Sequence, residues 1–296
     1  MNSTLADLAE SYPAEAFFAA PACPICSGSS RIAHAAFNIH PEKTYRFNFR
    51  VCSECEHGWI DPMPSQGLLN HLYGRGSHSV IGTEWSESAE PTLSVPGRLV
   101  CTKELHSDSP PRRYFELGVG KGQLYRQFIQ NGWECRGVEP GAWGRRFQGV
   151  HGDFGVLPNS FAAEVIVALD VLEHIADPIA TLRQLHQIAT PDARLYAAMP
   201  NRVSLRAIIG RQHWRMLRPL GHVNYWSRRS VMRAFAESGF YIEELRKTDL
   251  WESRPIRSLR SAAKAAIEYS GLGDQWMVIA RAQGRRRGSE PPHAAV

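Results

Sequence analysis

The run Phe115-Glu116-Leu117-Gly118-Val119-Gly120-Lys121-Gly122, followed by Gly137-Val138-Glu139-Pro140, leaves few folds open to this chain. Residues up to Leu117 read as a strand and the glycines as a turn. Residues 123–131 read as a helix with Leu124, Phe128 and Ile129 on one face. Glycines at a strand-to-helix turn let the backbone approach a nucleotide closely, and an acid ending the next strand can accept both ribose hydroxyls. Glu116 separates this turn from a dehydrogenase fingerprint. A carboxylate there repels a pyrophosphate but attracts the amino-acid cation of S-adenosylmethionine.

The alternation continues downstream. Strands are expected near residues 113–117, 134–139, 164–168, 194–199, 241–246 and 276–282, with helices between them, notably 179–190 and 228–238. Ser227 is placed to cap the latter helix and Gly239 to stop it. This pattern predicts an α/β, Rossmann-like, doubly wound sheet that binds its ligand at the carboxyl ends of the strands.

Four of the six cysteines form two CxxC knuckles, Cys23-Pro-Ile-Cys26 and Cys52-Ser-Glu-Cys55, around expected strands at 31–37 and 45–51. Two knuckles supply four thiolates that close a tetrahedron, and full sulfur ligation leaves no position for water. The centre is therefore expected to be structural. Zinc is the expected ion, and a rubredoxin-like iron site uses the same ligands. Cys101 and Cys135 have no partner motif and read as core or surface thiols.

A chain of 296 residues has room for one large α/β domain and a small module, and 43% hydrophobic with 21% charged residues is ordinary globular composition. Residues 1–20 are expected to form an amino-terminal extension and 21–64 the zinc ribbon. A helical and loop linker follows over 65–106, then the S-adenosylmethionine-binding domain over 107–283 and a disordered basic tail over 284–296. Within the linker, Ser65 is expected to cap a helix carrying Leu68, Leu69 and Leu72. Residues 75–96 read as a loop and 97–105 as a second helix. No basic leader is apparent over 1–10, and no apolar run approaches the roughly 20 residues of a membrane helix. A cytoplasmic setting is expected, where clustered thiols point to metal rather than to disulfides.

Residues 113–246 resemble class I S-adenosylmethionine-dependent methyltransferases, in the branch that includes ubiquinone-type O-methyltransferases. The segments that match are 115–120, Gly137-Val138-Glu139-Pro140, Gly152-Asp153, Ala168-Leu169-Asp170-Val171-Leu172-Glu173-His174 and Met199-Pro200-Asn201. The knuckles followed by Pro62-Met63-Pro64 resemble the amino-terminal module of zinc-containing sugar C-methyltransferases. Gly221 stands where that family carries Glu, and no counterpart of that family's large carboxyl-terminal domain is expected within these 296 residues. The resemblance implies a seven-stranded sheet with the small zinc ribbon at its amino-terminal side. It implies that Glu116 and Gly118 hold the methionine end, that Gly120 gives the backbone room and that Glu139 takes the ribose diol. Asp153 is then expected near the adenine amine, with Asp170, Val171 and Leu172 lining the cofactor.

Two histidines are candidates for taking a proton from a hydroxyl acceptor. His174 directly follows the cofactor-lining segment, and His222 lies before the helix capped by Ser227. Trp214 reads either as a wall of the acceptor pocket or as simple packing. Between Arg202 and Arg260 there are thirteen Arg or Lys against five Asp or Glu. That excess predicts an anionic acceptor: a small molecule, a sugar, or a glycan or lipid-linked compound. Peripheral membrane contact fits the same charge. Arg254, Arg257, Arg260 and Lys264 recur at helical spacing and read as a solvated basic face. The alternative is an RNA-binding methyltransferase gripping through its zinc ribbon. Residues 20–60 interleave acids and bases without a basic, aromatic stripe, which favours the small-molecule or glycan acceptor.

Overall fold

The computed structural model describes residues 13–39, 44–74, 93–105, 112–154, 161–248 and 273–284. Residues 1–10, most of the 75–96 loop, the run from Arg254 to Lys264 and the basic tail beyond Gly284 lie outside the described residues. The amino-terminal part holds β1 (Phe17–Phe18), β2 (Ser30–Ile39), β3 (Thr44–Cys52), β4 (Gly58–Asp61), β5 (Met63–Pro64) and helices α1 (Gln66–Gly74) and α2 (Val95–Glu104). The main part then runs β6 (Arg113–Leu117), α3 (Gln123–Gln130), β7 (Glu134–Val138), β8 (Val150–His151), β9 (Ala163–Leu169), α4 (Pro178–Gln187) and β10 (Ala189–Pro200). It continues through α5 (Leu205–Gly210), β11 (Asn224–Tyr225), α6 (Arg228–Glu237), β12 (Phe240–Thr248) and β13 (Gln275–Ala282).

Seven strands form one mixed sheet in the order β12-β13-β10-β9-β6-β7-β8. Strands β10, β9, β6, β7 and β8 are parallel, while β13 lies antiparallel between β10 and β12. The central strands are apolar runs because helices cover both faces; Val165, Ile166 and Val167 of β9 are fully buried. On one face Tyr114 stacks on Phe128 of α3 with ring centroids 3.9 Å apart. Tyr125 takes the third buried position of α3 and Ile129 is exposed, so the apolar face of this helix is turned by one residue from the sequence expectation. On the other face Phe115, Leu182, Leu185 and Phe235 share a core cluster. Ser227 caps α6 through a reciprocal pair with Ser230, and Gly239 at φ +86° ends it.

The chain leaves β6 toward β7 on one side and returns after β8 to β9 on the other. The switch point therefore lies between β6 and β9, and a crevice opens beyond their carboxyl ends.

A second sheet runs β11-β4-β3-β2. The β2–β3 hairpin spans the two cysteine knuckles. Its fourth strand comes from far along the chain: Asn224 pairs with Trp59 and Tyr225 with Gly58. His57 donates from Nε2 to Asn224 Oδ1 at 2.8 Å, Arg202 donates to Glu56 O at 2.7 Å, and Ser227 Oγ donates to Cys55 O at 2.7 Å. Burial holds His57 down at about 3, so its ring is neutral and serves as a donor in this seam. Among the described residues, no helix is long and apolar enough to cross a membrane.

Candidate active site

The crevice at the switch point is a cavity of about 900 Å³. Its first wall is the turn after β6. Glu116 is buried and accepts a 2.8 Å hydrogen bond from the Tyr114 hydroxyl. The period of two along a strand puts both side chains on one face. Burial pushes the Glu116 carboxyl up to about 8. Glu139, directly after β7, ties two turns together: Oε2 accepts from Gly120 N at 2.8 Å and Oε1 from Gly141 N at 2.7 Å. Each carboxylate oxygen carries a further lone pair for a hydroxyl donor.

Gly118 and Gly120 are glycines for different reasons. A Cβ on Gly118, at φ +76°, would stand 2.4 Å from Val171 Cγ2. One on Gly120, at φ +53°, would meet nothing within 4 Å. The first is required by packing, whereas the second keeps a cradle open on the cavity floor.

Asp153 is exposed on the cavity rim beside Phe154. At the end of β9, Asp170 takes φ +56° and accepts a short hydrogen bond from Gln275 Nε2, while burial pushes its carboxyl up to about 7. Val171 lines the cavity. Leu172 departs from the expectation: it is fully buried in the core cluster and contributes no wall. Residues Leu172–His174 form a 3-10 turn, and its tight winding sends Leu172 inward and His174 to the cavity.

The far end of the cavity is histidine-rich. His174 and His222 pack edge to face with centroids 4.8 Å apart. Nδ1 of His174 lies 2.7 Å from Gly221 O and Nδ1 of His222 lies 2.8 Å from Met216 O. A carbonyl only accepts, so both Nδ1 atoms carry a proton, and in the neutral form of each ring the lone pair sits on Nε2. Burial, with His174 beside it, holds His222 well below the ordinary histidine range. Glu173, next to His174 in sequence, is buried beside both histidines, and burial followed by the nearby Asp170 charge pushes its carboxyl well up.

Several lining residues carry no motif. Gln66 and Asn70 reach the cavity from α1, and Gln66 Oε1 accepts from Ala176 N at 2.9 Å. Arg218 lines the histidine end. Trp214 is a packing residue: it is buried, donates to Asp274 Oδ1 at 3.3 Å and does not line the cavity. Only Arg218 had a sequence signal, the local basic excess.

The four knuckle cysteines converge. Cys23 and Cys55 sulfurs are 3.6 Å apart, and Cys26 lies 3.5 Å from both Cys52 and Cys55. Disulfides would bring sulfurs to about 2.05 Å. A tetrahedron with bonds of about 2.3 Å instead needs edges of about 3.8 Å. Backbone amides of Ile25, Glu54 and Cys55 point at the sulfurs at 3.4 Å, as donors to thiolates.

The chain is similar to known methyltransferases in sequence and in fold. A family model described as a methyltransferase domain matches residues 98–245. The ubiquinone biosynthesis O-methyltransferase of Pseudomonas aeruginosa is 26% identical over 154 residues, covering 45% of this chain. The match spans 66% of the length of that curated relative. Among solved structures, the 1,6-didemethyltoxoflavin-N1-methyltransferase of Burkholderia thailandensis, with bound 1,6-didemethyltoxoflavin and S-adenosylhomocysteine, is similar with a TM-score of 0.51 at 11% identity. That likeness covers 80% of this chain and 96% of the other, and it is a likeness of fold. An S-adenosylmethionine-dependent methyltransferase from Mesorhizobium loti aligns with a TM-score of 0.45 at 15% identity, covering 62% of this chain and 97% of the other. With half of its length matched by the family model, a mixed seven-stranded sheet and a glycine turn at the switch point, the chain belongs to the methyltransferase-domain family.

Proposed function

We propose that the protein transfers the methyl group of S-adenosylmethionine to a hydroxyl of a small-molecule, sugar, or glycan- or lipid-linked acceptor, with a structural zinc ion held by Cys23, Cys26, Cys52 and Cys55. One observation carries this reading: the cavity has buried and backbone-anchored carboxylates at one end and two Nε2 lone pairs at the other. The residues at the first end fit the cofactor. Glu116 is a buried acid suited to an ammonium group, Glu139 has lone pairs for a ribose diol, and Gly120 leaves the cradle that a close-packed ligand fills. Asp153 stands on the rim for the adenine amine, with Asp170 and Val171 along the wall.

S-adenosylmethionine supplies an electrophilic methyl group on a sulfonium. As the acceptor oxygen bonds to that carbon, the carbon–sulfur bond breaks and its electron pair stays on sulfur. The hydroxyl proton leaves at the histidine end, first toward His174 and then to water. The side chains position the two partners, which supplies much of the rate in such a displacement. Arg218 gives this end a positive charge, so an anionic acceptor fits best.

The test is a methyl-transfer assay with labelled cofactor against fractionated host extract, followed by mass analysis of the product. His174→Gln should cut turnover by about 10²–10⁴-fold with cofactor binding kept. Label recovered in RNA alone, or turnover within about threefold of wild type in that variant, contradicts the reading.

A further inference from the structure

We infer that Glu173, His174 and His222 form a second metal site, separate from the cysteine centre, for a divalent first-row transition ion at the acceptor end of the cavity. The inference rests on the preceding reading of which end takes the acceptor; with Nε2 of His174 on the ion, the ion would take over from His174 the activation of the acceptor hydroxyl. Ligand atoms from the three residues lie within 4.8 Å of one another, and Nε2 of His174 is 4.0 Å from Glu173 Oε1. Metal–ligand bonds of about 2.0–2.2 Å set ligand atoms about 3.0–3.5 Å apart, so side-chain rotation would have to close the widest of these separations by roughly 1–2 Å.

Three independent features point to a cation. Glu173 is 1% exposed, and its Oε2 has no hydrogen-bond partner among the described residues. A buried carboxylate oxygen without a donor is costly to keep, and a cation removes that cost. Both histidines fix Nδ1–H on a backbone carbonyl, Gly221 O and Met216 O. That is the outer-sphere arrangement that orients a metal-ligating imidazole. The donor set, two imidazoles and one carboxylate, selects a transition ion over magnesium or calcium, which prefer all-oxygen shells.

Three protein ligands leave coordination positions open toward the cavity, which is what a catalytic rather than structural site needs. There the ion would polarise an acceptor hydroxyl, whose proton passes to water while the methyl group moves from sulfur to oxygen. The ion would add its positive charge to that of Arg218 at this end of the cavity.

The site is tested by titrating cobalt(II) into the full-length protein with its cysteine centre already loaded with zinc. Absorption spectra, elemental analysis and S-adenosylhomocysteine calorimetry are read on the same samples. The expected result is one cobalt per chain beyond the cysteine-bound metal, with visible bands but no thiolate charge transfer. His222→Asn and Glu173→Gln should each weaken that binding by at least about tenfold, since even outer-sphere changes cost about 10- to 100-fold. If Glu173→Gln fails to fold, His222→Asn with intact circular dichroism decides alone. Absence of a second equivalent at millimolar cobalt, or unchanged binding in His222→Asn, overturns the site. If S-adenosylhomocysteine still binds and His174→Gln still loses turnover in that case, the proposed function stands without the metal. Loss of S-adenosylhomocysteine binding by wild type overturns the proposed function instead.

Discussion

Burial holds the Glu116 carboxyl at about 8 against an ordinary value of 4.5, so this acid is largely protonated at neutral pH. Its folded pKa is raised, so the native state holds a proton through the window from about 4.5 to about 8 that the unfolded chain has released. Stability from this group is therefore lost as pH rises through that window. A cation bound beside Glu116 favours the carboxylate and lowers its pKa, so cofactor binding at pH 7 should release up to about one proton. Calorimetry with S-adenosylhomocysteine in two buffers of different ionisation enthalpy checks this. Wild type should show buffer-dependent heats and Glu116→Gln should not; equal heats for wild type in both buffers contradict it. The positions of Glu116 and Glu139 at the ends of β6 and β7 were legible in the sequence, because a glycine turn marks where the first strand stops and the strand-helix alternation places the second. The inward turn of Leu172 has no such signal, since a 3-10 turn changes the phase by which successive residues face the cavity. The Gln275 bond to Asp170 joins residues 105 positions apart and has no local signal at all.

The glycine turn separates packing from ligand space at the level of the element. Gly118→Ala combines a left-handed φ with a contact at 2.4 Å, and should cost about 2–4 kcal/mol of folding stability. Gly120→Ala meets no atom, so it should cost only about 1 kcal/mol while filling the cradle and weakening cofactor binding by about tenfold or more. Thermal unfolding and calorimetry on both variants check the contrast. An alanine at residue 120 that leaves affinity intact would remove the cradle from the account. Long buried strands of the main sheet were legible because parallel strands covered on both faces are continuous apolar runs. Strand β11 was not, since two residues carry no period, and its pairing with β4 depends on packing alone. On α3 the helix was legible but its buried face was not, because Tyr125 can bury its ring and bond its hydroxyl to Gln148 O at 2.9 Å.

Across the whole molecule, the cysteine module is joined to the main sheet rather than tethered to it. Strand β11 completes the module's sheet, Ser227 bonds Cys55 O, and the two parts share one core cluster. Residues 221–223, which carry His222, lie immediately before that strand. Cys52→Ser should therefore lose one equivalent of metal per chain and lower turnover, because disorder at the knuckles spreads to the histidine end. Cofactor affinity should change little, since Glu116 and Glu139 are held by Tyr114, Gly120 and Gly141 rather than by the cysteine module. Elemental analysis and turnover on the purified variant check this, and wild-type metal content in Cys52→Ser contradicts it. The most direct measurement for the account as a whole is calorimetric titration of wild type and Glu139→Ala with S-adenosylhomocysteine. Wild type should bind one molecule per chain, and the variant should bind about 10- to 100-fold more weakly, since hydrogen bonds to a charged group contribute roughly 1.5–3 kcal/mol. No binding by wild type, or equal affinity in a folded Glu139→Ala protein, contradicts the assignment of this cavity to the cofactor.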